Sequence, residues 1–187
     1  MHSNHTKFEY HKLSITDGNI IIRPFSSEDA AAHLEGDDEQ QSIYLNGGHI
    51  STEKSVNAWI AKNEEYWRND GPIYNFAIVD NDRQPIGMVE ANTDSDKLDG
   101  LEIGDANISY ALYPKARGKG YTSRAIKLLE QFLIERGLIR SVIRVNPDNK
   151  ASLKVPERLN YYDNGQIITR DGDKLRIYIK NLVHTIE

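Results

Sequence analysis

One stretch constrains this chain more than any other: Tyr110-Ala-Leu-Tyr-Pro-Lys-Ala-Arg-Gly-Lys-Gly-Tyr-Thr-Ser-Arg124. A predicted strand ends at Pro114, which cannot continue a strand ladder. A turn holding Gly118 and Gly120 follows, and a helix begins at once. That helix is predicted from Lys119 to Arg136, with Thr122, Ala125, Ile126, Leu129, Phe132 and Leu133 on one face and Gly137 as its stop. The two glycines permit backbone angles closed to other residues and let a ligand approach with no Cβ between. The first helical turn offers unpaired N–H groups and the positive end of the helix dipole, and Arg117 and Lys119 add formal charge. A phosphate or diphosphate is the anion such a cradle suits. It is not the dinucleotide fingerprint, which needs glycine where Ser123 stands, nor a P-loop, because no Gly-Lys-Ser/Thr follows a four-residue spacer.

The rest of the chain arranges elements around that segment. Asn19 to Arg23 reads as a short strand closed by Pro24, and Ser26-Ser27-Glu28-Asp29 opens a helix ending near Gly36. Ser42 to Ile50, with Asn46-Gly47-Gly48, is expected to be a flexible loop. A second helix opens at Ser51-Thr52-Glu53, its stripe made by Val56, Trp59, Ile60, Tyr66 and Trp67. Strands are predicted at Tyr74 to Val79, Ile86 to Ala91 and Ile108 to Tyr113. The polar run Asp94 to Asp105 forms a protruding loop before the last of them. Ser141 to Val145 is a strand, Asn149 to Leu159 a short helix, and Tyr161 to Thr169 with Lys174 to Asn181 a closing hairpin. The order β-α-α-β-β-β-α-β-α-β-β gives a mixed α/β, or α+β, domain on a mainly antiparallel sheet.

With 187 residues, 39% hydrophobic and 27% charged, the chain fits one soluble domain, residues 1–187, with 1–12 as a loose tail. Its net charge of −5 disfavours a nucleic-acid backbone as partner, and no apolar run approaches a membrane span. The absence of cysteine removes disulfides and thiolate chemistry and suits a reducing compartment. The polar start lacks the apolar centre of a secretory signal. A cytoplasmic protein is the expectation. The six histidines, His2, His5, His11, His33, His49 and His184, form no metal-ligand pair at helical spacing, so no metal is expected.

At this point the sequence resembles the GNAT superfamily of N-acetyltransferases, most closely its ribosomal-protein N-terminal acetyltransferase branch. The family's cofactor motif, Gln/Arg-x-x-Gly-x-Gly/Ala, falls on Arg117, Gly118, Lys119, Gly120, Tyr121 and Thr122. Its Asn-x-x-Ser helix, ending in Gly-Phe, falls on Asn149, Ser152 and then Asn160-Tyr161. The chain departs from the pattern in three places. Thr122 replaces a small residue, and Asn160-Tyr161 replaces Gly-Phe, asparagine being the best stand-in where a left-handed backbone is needed. Pro156 takes the position where some relatives carry a tyrosine that protonates the leaving thiolate, and should kink the last helix.

The resemblance implies a seven-stranded GNAT-like sheet splayed between its fourth and fifth strands, with about four flanking helices. It implies acetyl-CoA as co-substrate and direct attack by an amine, without an acyl-enzyme. Backbone N–H groups of Tyr110, Ala111, Leu112 and Tyr113 would meet the thioester and pantetheine arm, and Arg117 to Thr122 would hold the diphosphate. Asn149 would touch the pantetheine, and Ser152 the thiol or the cofactor tail. The base stays open among Glu90, Glu102 and Asp105, with Ser109 as anchor for a water. The acceptor is expected to be a protein or peptide N-terminal amine. The acids Asp94, Asp96, Asp99, Glu102 and Asp105 suggest a polyamine or aminoglycoside as alternative, and the missing thiolate acid suggests a non-catalytic acyl-CoA-binding module. Relatives are often homodimers.

Overall fold

A computed structural model describes residues 9–182; the first eight residues, with His2 and His5, and the last five, with His184, lie outside the described part. Eight strands form one sheet: β1 (Ile15–Thr16), β2 (Ile21–Pro24), β3 (Ile73–Val79), β4 (Pro85–Asn92), β5 (Asp105–Leu112), β6 (Arg140–Val145), β7 (Tyr162–Ile168) and β8 (Lys174–Asn181). Their order is β1-β2-β3-β4-β5-β6-β8-β7. Neighbours run antiparallel except β5 and β6. Five α-helices accompany them among the described residues: α1 (Ala30–Gly36), α2 (Glu39–Tyr44), α3 (Glu53–Arg68), α4 (Tyr121–Glu135) and α5 (Lys150–Arg158). None is long and apolar enough to cross a membrane.

The period-2 and period-3.6 patterns explain the two sides of the sheet. β3 is buried along nearly its whole length, as a central strand covered on both faces must be. On one face α4 lays Ile126, Leu129, Phe132 and Leu133 over β4 and β5. Phe132, Phe76, Tyr74 and Trp67 meet there edge to face with centroids 5.0 to 5.8 Å apart. On the other face Phe25, Ala77, Met88 and Ala111 take Trp59 of α3 against them.

The feature that makes the site is the β5–β6 seam. Its parallel register covers only Asp105↔Arg140, Ala106↔Ser141 and Asn107↔Val142, after which the strands part. Ile108 to Leu112 run on, paired to β4 alone. At the closed end the Arg140 guanidinium donates to both Asp105 oxygens, at 2.7 and 2.8 Å.

The structure differs from the sequence expectations locally. The eighth strand is β1, a two-residue edge too short to show a pattern. Glu39–Tyr44 is a helix whose last three residues overlap the expected loop, started by the Asp38 side chain accepting from the Gln41 N–H. Residues 10–12 are not a loose tail: they form a 3-10 turn, and Tyr10 is 4% exposed, stacked on Trp67 at 6.1 Å. α5 continues through Pro156 to Arg158.

Candidate functional site

Where β5 and β6 part, a cleft of about 760 Å³ opens between them. Its lining takes in Ser109, Tyr110, Ala111 and Leu112 from β5, Arg117, Gly118 and Thr122 from the turn into α4, and Asn149 and Ser152 from the start of α5. The sequence motif thus folds into one end of a cavity. Gly118 and Gly120 have φ of +78° and +77°, and a Cβ at either would point into open space. Their requirement is backbone handedness, and the room beside them is available to a ligand. Among the described residues no acceptor meets the backbone N–H groups of Gly118 through Ser123. Six consecutive donors at a helix start, beside an open cleft, fit a diphosphate.

Arg117 is not a free phosphate hook. Its Nε donates to the Leu112 carbonyl at 3.0 Å, and its Nη1 pairs with Asp38 at 2.7 Å, tying the start of α2 to the cradle. Lys119 is exposed, while Tyr121 is partly buried on the core; like Gly120, neither lines the cleft. Tyr113 is a correction. Its N–H is already bonded to the Ile86 carbonyl at 2.9 Å. Its ring is buried against α1, where the hydroxyl meets His33 Nδ1 at 2.8 Å.

Tyr110 does more than the sequence reading gave it. Pro156 has no N–H to offer the Ser152 carbonyl four residues back. The Tyr110 hydroxyl donates to that carbonyl at 3.3 Å and lies 2.8 Å from Ser152 Oγ, either oxygen serving as donor. Burial pushes the Tyr110 phenol up to about 12, the Ser152 contact opposing. The phenol therefore stays protonated and available as a donor.

A second cavity, about 460 Å³, joins the first at Gln41, Leu45 and Ser109. Glu90 and Ser109 are cross-strand partners on its floor, and His33 and Trp59 form a wall, stacked at 4.7 Å. Burial raises the Glu90 carboxyl above its ordinary range, opposed by the Asn75 amide, which donates to it at 2.6 Å. Burial lowers His33, keeping it neutral near pH 7.

The other two carboxylates named as bases lie elsewhere. Asp105 is 1% exposed at the closed end of the seam, and Glu102 projects outward, 2.7 Å from the same Arg140. Neither lines either cavity. The acidic loop is largely neutralised: Asp94 pairs with Lys97, Asp99 with Arg170, and Glu102 and Asp105 with Arg140. Wall residues His33 and Gln41 were missed because nothing in their spacing marks them.

A family model described as the acetyltransferase (GNAT) domain matches residues 19–161. No curated protein matches the chain. Among solved structures, an acetyltransferase from Salmonella typhimurium that modifies the N-terminal serine of the ribosomal protein L7/L12 superposes with a TM-score of 0.76 at 16% identity, over 91% of this chain and 100% of that one. The ribosomal-protein-S5-alanine acetyltransferase of Vibrio fischeri gives 0.73 at 18%, over 91% and 97%. The microcin C7 self-immunity acetyltransferase, solved with acetyl-CoA and AMP, gives 0.72 at 20%, over 89% and 93%. At such identities the likeness speaks for the fold. The family match spans most of the chain, over both the cradle and the Asn149 helix, and with it the protein belongs to the GNAT acetyltransferases, enzymes that transfer an acyl group from acetyl-CoA to an amine.

Proposed function

We propose that the protein acetylates the N-terminal amine of a protein or peptide. The observation that carries this reading is the meeting of two cavities at Ser109. One is edged by the open α4 start, the other holds a buried carboxylate of raised basicity. The structural likeness to enzymes acting on ribosomal-protein N-termini supports the same acceptor class.

In this reading the N–H groups of Gly118 through Thr122 bind the diphosphate of acetyl-CoA, and Asn149 with the Tyr110 and Leu112 N–H groups, which alternate away from β4, steadies its pantetheine arm. Acetyl-CoA supplies an activated carbonyl and a thiolate leaving group. Glu90 takes a proton from the incoming ammonium, directly or through a water held at Ser109. Ser152, with its Oγ accepting from the Tyr110 hydroxyl at 2.8 Å, is free to donate its own proton in a hydrogen bond to the departing sulfur. A phenol near 12 is a weaker acid than a thiol near 8.5, so Tyr110 lends a hydrogen bond and keeps its proton.

Amine basicity favours an N-terminal acceptor over lysine. An α-amine titrates near 8 and is about one-tenth neutral at pH 7, whereas a lysine near 10.4 is neutral in roughly one molecule in 2,500. A carboxylate base is better matched to the first. The paired acids of the 94–105 loop leave no comparable support for a polyamine.

The test is thiol release from acetyl-CoA with three probes: a peptide with a free N-terminus and no lysine, an N-blocked peptide with one lysine, and spermidine. Mass spectrometry should locate the acetyl group on the α-amine. Labelling confined to lysine or spermidine would overturn the proposal.

A further inference from the structure

Arg144 stands out on the acceptor side of the sheet. It projects from β6 beyond the last parallel rung and is half-buried on the cleft lining. Its Nε donates to Asn107 Oδ1 at 2.9 Å and its Nη1 to the Asp99 carbonyl at 3.3 Å. Both acceptors are uncharged, and an uncharged amide could serve them as well. Among the described residues no carboxylate forms an ion pair with it, the Asp99 carboxylate being taken by Arg170. The other arginines without an ion pair, Arg83 and Arg158, are exposed. A partly buried guanidinium without a direct ion pair is costly: desolvation lowers its affinity for the proton, and the Asp99 carboxylate, held by Arg170, opposes this only from a distance. The charged residues lining the two cavities are Arg117, Arg144, Arg158, Asp173 and Glu90; Asp173 lines the same cavity as Arg144, and Glu90 is the one acid of the adjoining cavity.

The placement relative to Glu90 defines a ruler. Asn107 holds Arg144 and donates to Ser109 Oγ at 3.3 Å; Ser109 faces Glu90 across the strand pair. Asn107 and Ser109 lie on one face, about 7 Å apart, and facing partners across a strand pair lie about 5 Å apart. An extended chain advances about 3.4 Å per residue. An amine held at Glu90 therefore brings a side chain one or two residues on within reach of the guanidinium, whose planar fork suits a carboxylate.

We propose that Arg144 is an anion subsite of the acceptor site, and that the preferred acceptor is an amine carrying a carboxylate within its first two residues. This rests on the N-terminal acetyltransferase reading and narrows its substrate class.

The experiment measures equilibrium binding to the CoA-loaded protein, and separately turnover, for hexapeptides alike except for glutamate, glutamine or lysine at the second residue. The wild type should bind the glutamate peptide about tenfold more tightly than the glutamine peptide, and the lysine peptide least. Arg144→Gln should bring the glutamate-to-glutamine ratio close to one; Arg144→Lys, which keeps charge without the fork, should retain part of it. The wild-type comparison needs no variant, so a poorly folding Arg144→Gln would not decide the matter. Equal binding of the glutamate and glutamine peptides by the wild type overturns the subsite, and turnover of both at equal rates would then leave N-terminal transfer standing. Arg144-dependent binding without turnover of any peptide would sink the transfer reading and keep the subsite. A glutamate-containing dipeptide separates the two sources of this chemistry: it matches the hexapeptide if the acceptor is small, and binds more weakly if it is a polypeptide end.

Discussion

Glu90 sits where stability and chemistry ask opposite things of a carboxylate. Burial makes it a stronger base and also makes its charged form unfavourable in the folded chain. Its contribution to stability is fully present while it is protonated, and is lost as pH rises through its elevated folded value. Glu90→Gln keeps the acceptor for Asn75 and removes the charge, so turnover should fall about a hundredfold. The same variant should melt higher than wild type at pH 7, with a gap that shrinks as pH falls toward 4. A variant that loses turnover without that pH-dependent gain in thermal melts would place Glu90 outside a desolvated site. Tyr110→Phe tests the opposite end of the cleft. We expect kcat to drop about tenfold with acetyl-CoA affinity within a factor of three, because a hydrogen bond to the sulfur matters most as charge develops there. The wild-type profile should show no loss from Tyr110 ionisation below about pH 11, its phenol titrating at about 12.

At the scale of elements, α2 is joined to the cradle by one ion pair. Asp38→Asn separates the two tasks of that side chain, since asparagine caps a helix as well as aspartate but does not pair with Arg117. Stability should change by less than about 1 kcal/mol in urea melts, as for other partly exposed pairs. Amide exchange across Glu39 to Tyr44 should quicken, read by mass spectrometry; an unchanged rate would mean the pair does not hold the helix in place. This helix was hidden in the sequence because Glu39-Gln-Gln-Ser-Ile-Tyr44 has no apolar stripe and only a cap to announce it. α3 and α4, by contrast, were legible from their periodic apolar faces, and the cradle from its two glycines beside a helix start. The placement of Glu102 and Asp105 was not, because the partner that claims both, Arg140, lies some 35 residues on, across the parallel seam. Tyr110 was read for its backbone alone, its side-chain role depending on a carbonyl that Pro156 leaves free on α5.

At the scale of the whole molecule, the closed end of the seam is a clasp. Asp105 is almost wholly buried and bidentate to Arg140, and losing one partner of such a pair leaves an uncompensated charge. Asp105→Asn should cost about 3 kcal/mol in denaturant unfolding while the folded fraction keeps its kcat within about twofold. A hundredfold fall in kcat with stability intact would instead return Asp105 to the list of bases. Beyond the clasp, one border of β5 from Ile108 to Leu112 has no neighbouring strand, although it lies in the interior of the sheet and not at its rim. Interior amides without partners are a debt that water settles poorly. In the proposed reading the pantetheine arm, itself a chain of amides, takes the place of the absent strand, so that the metabolite would complete the architecture as well as feed the reaction. A donor bound to the folded state alone would then stabilise it by mass action, and thermal melts should rise with acetyl-CoA concentration.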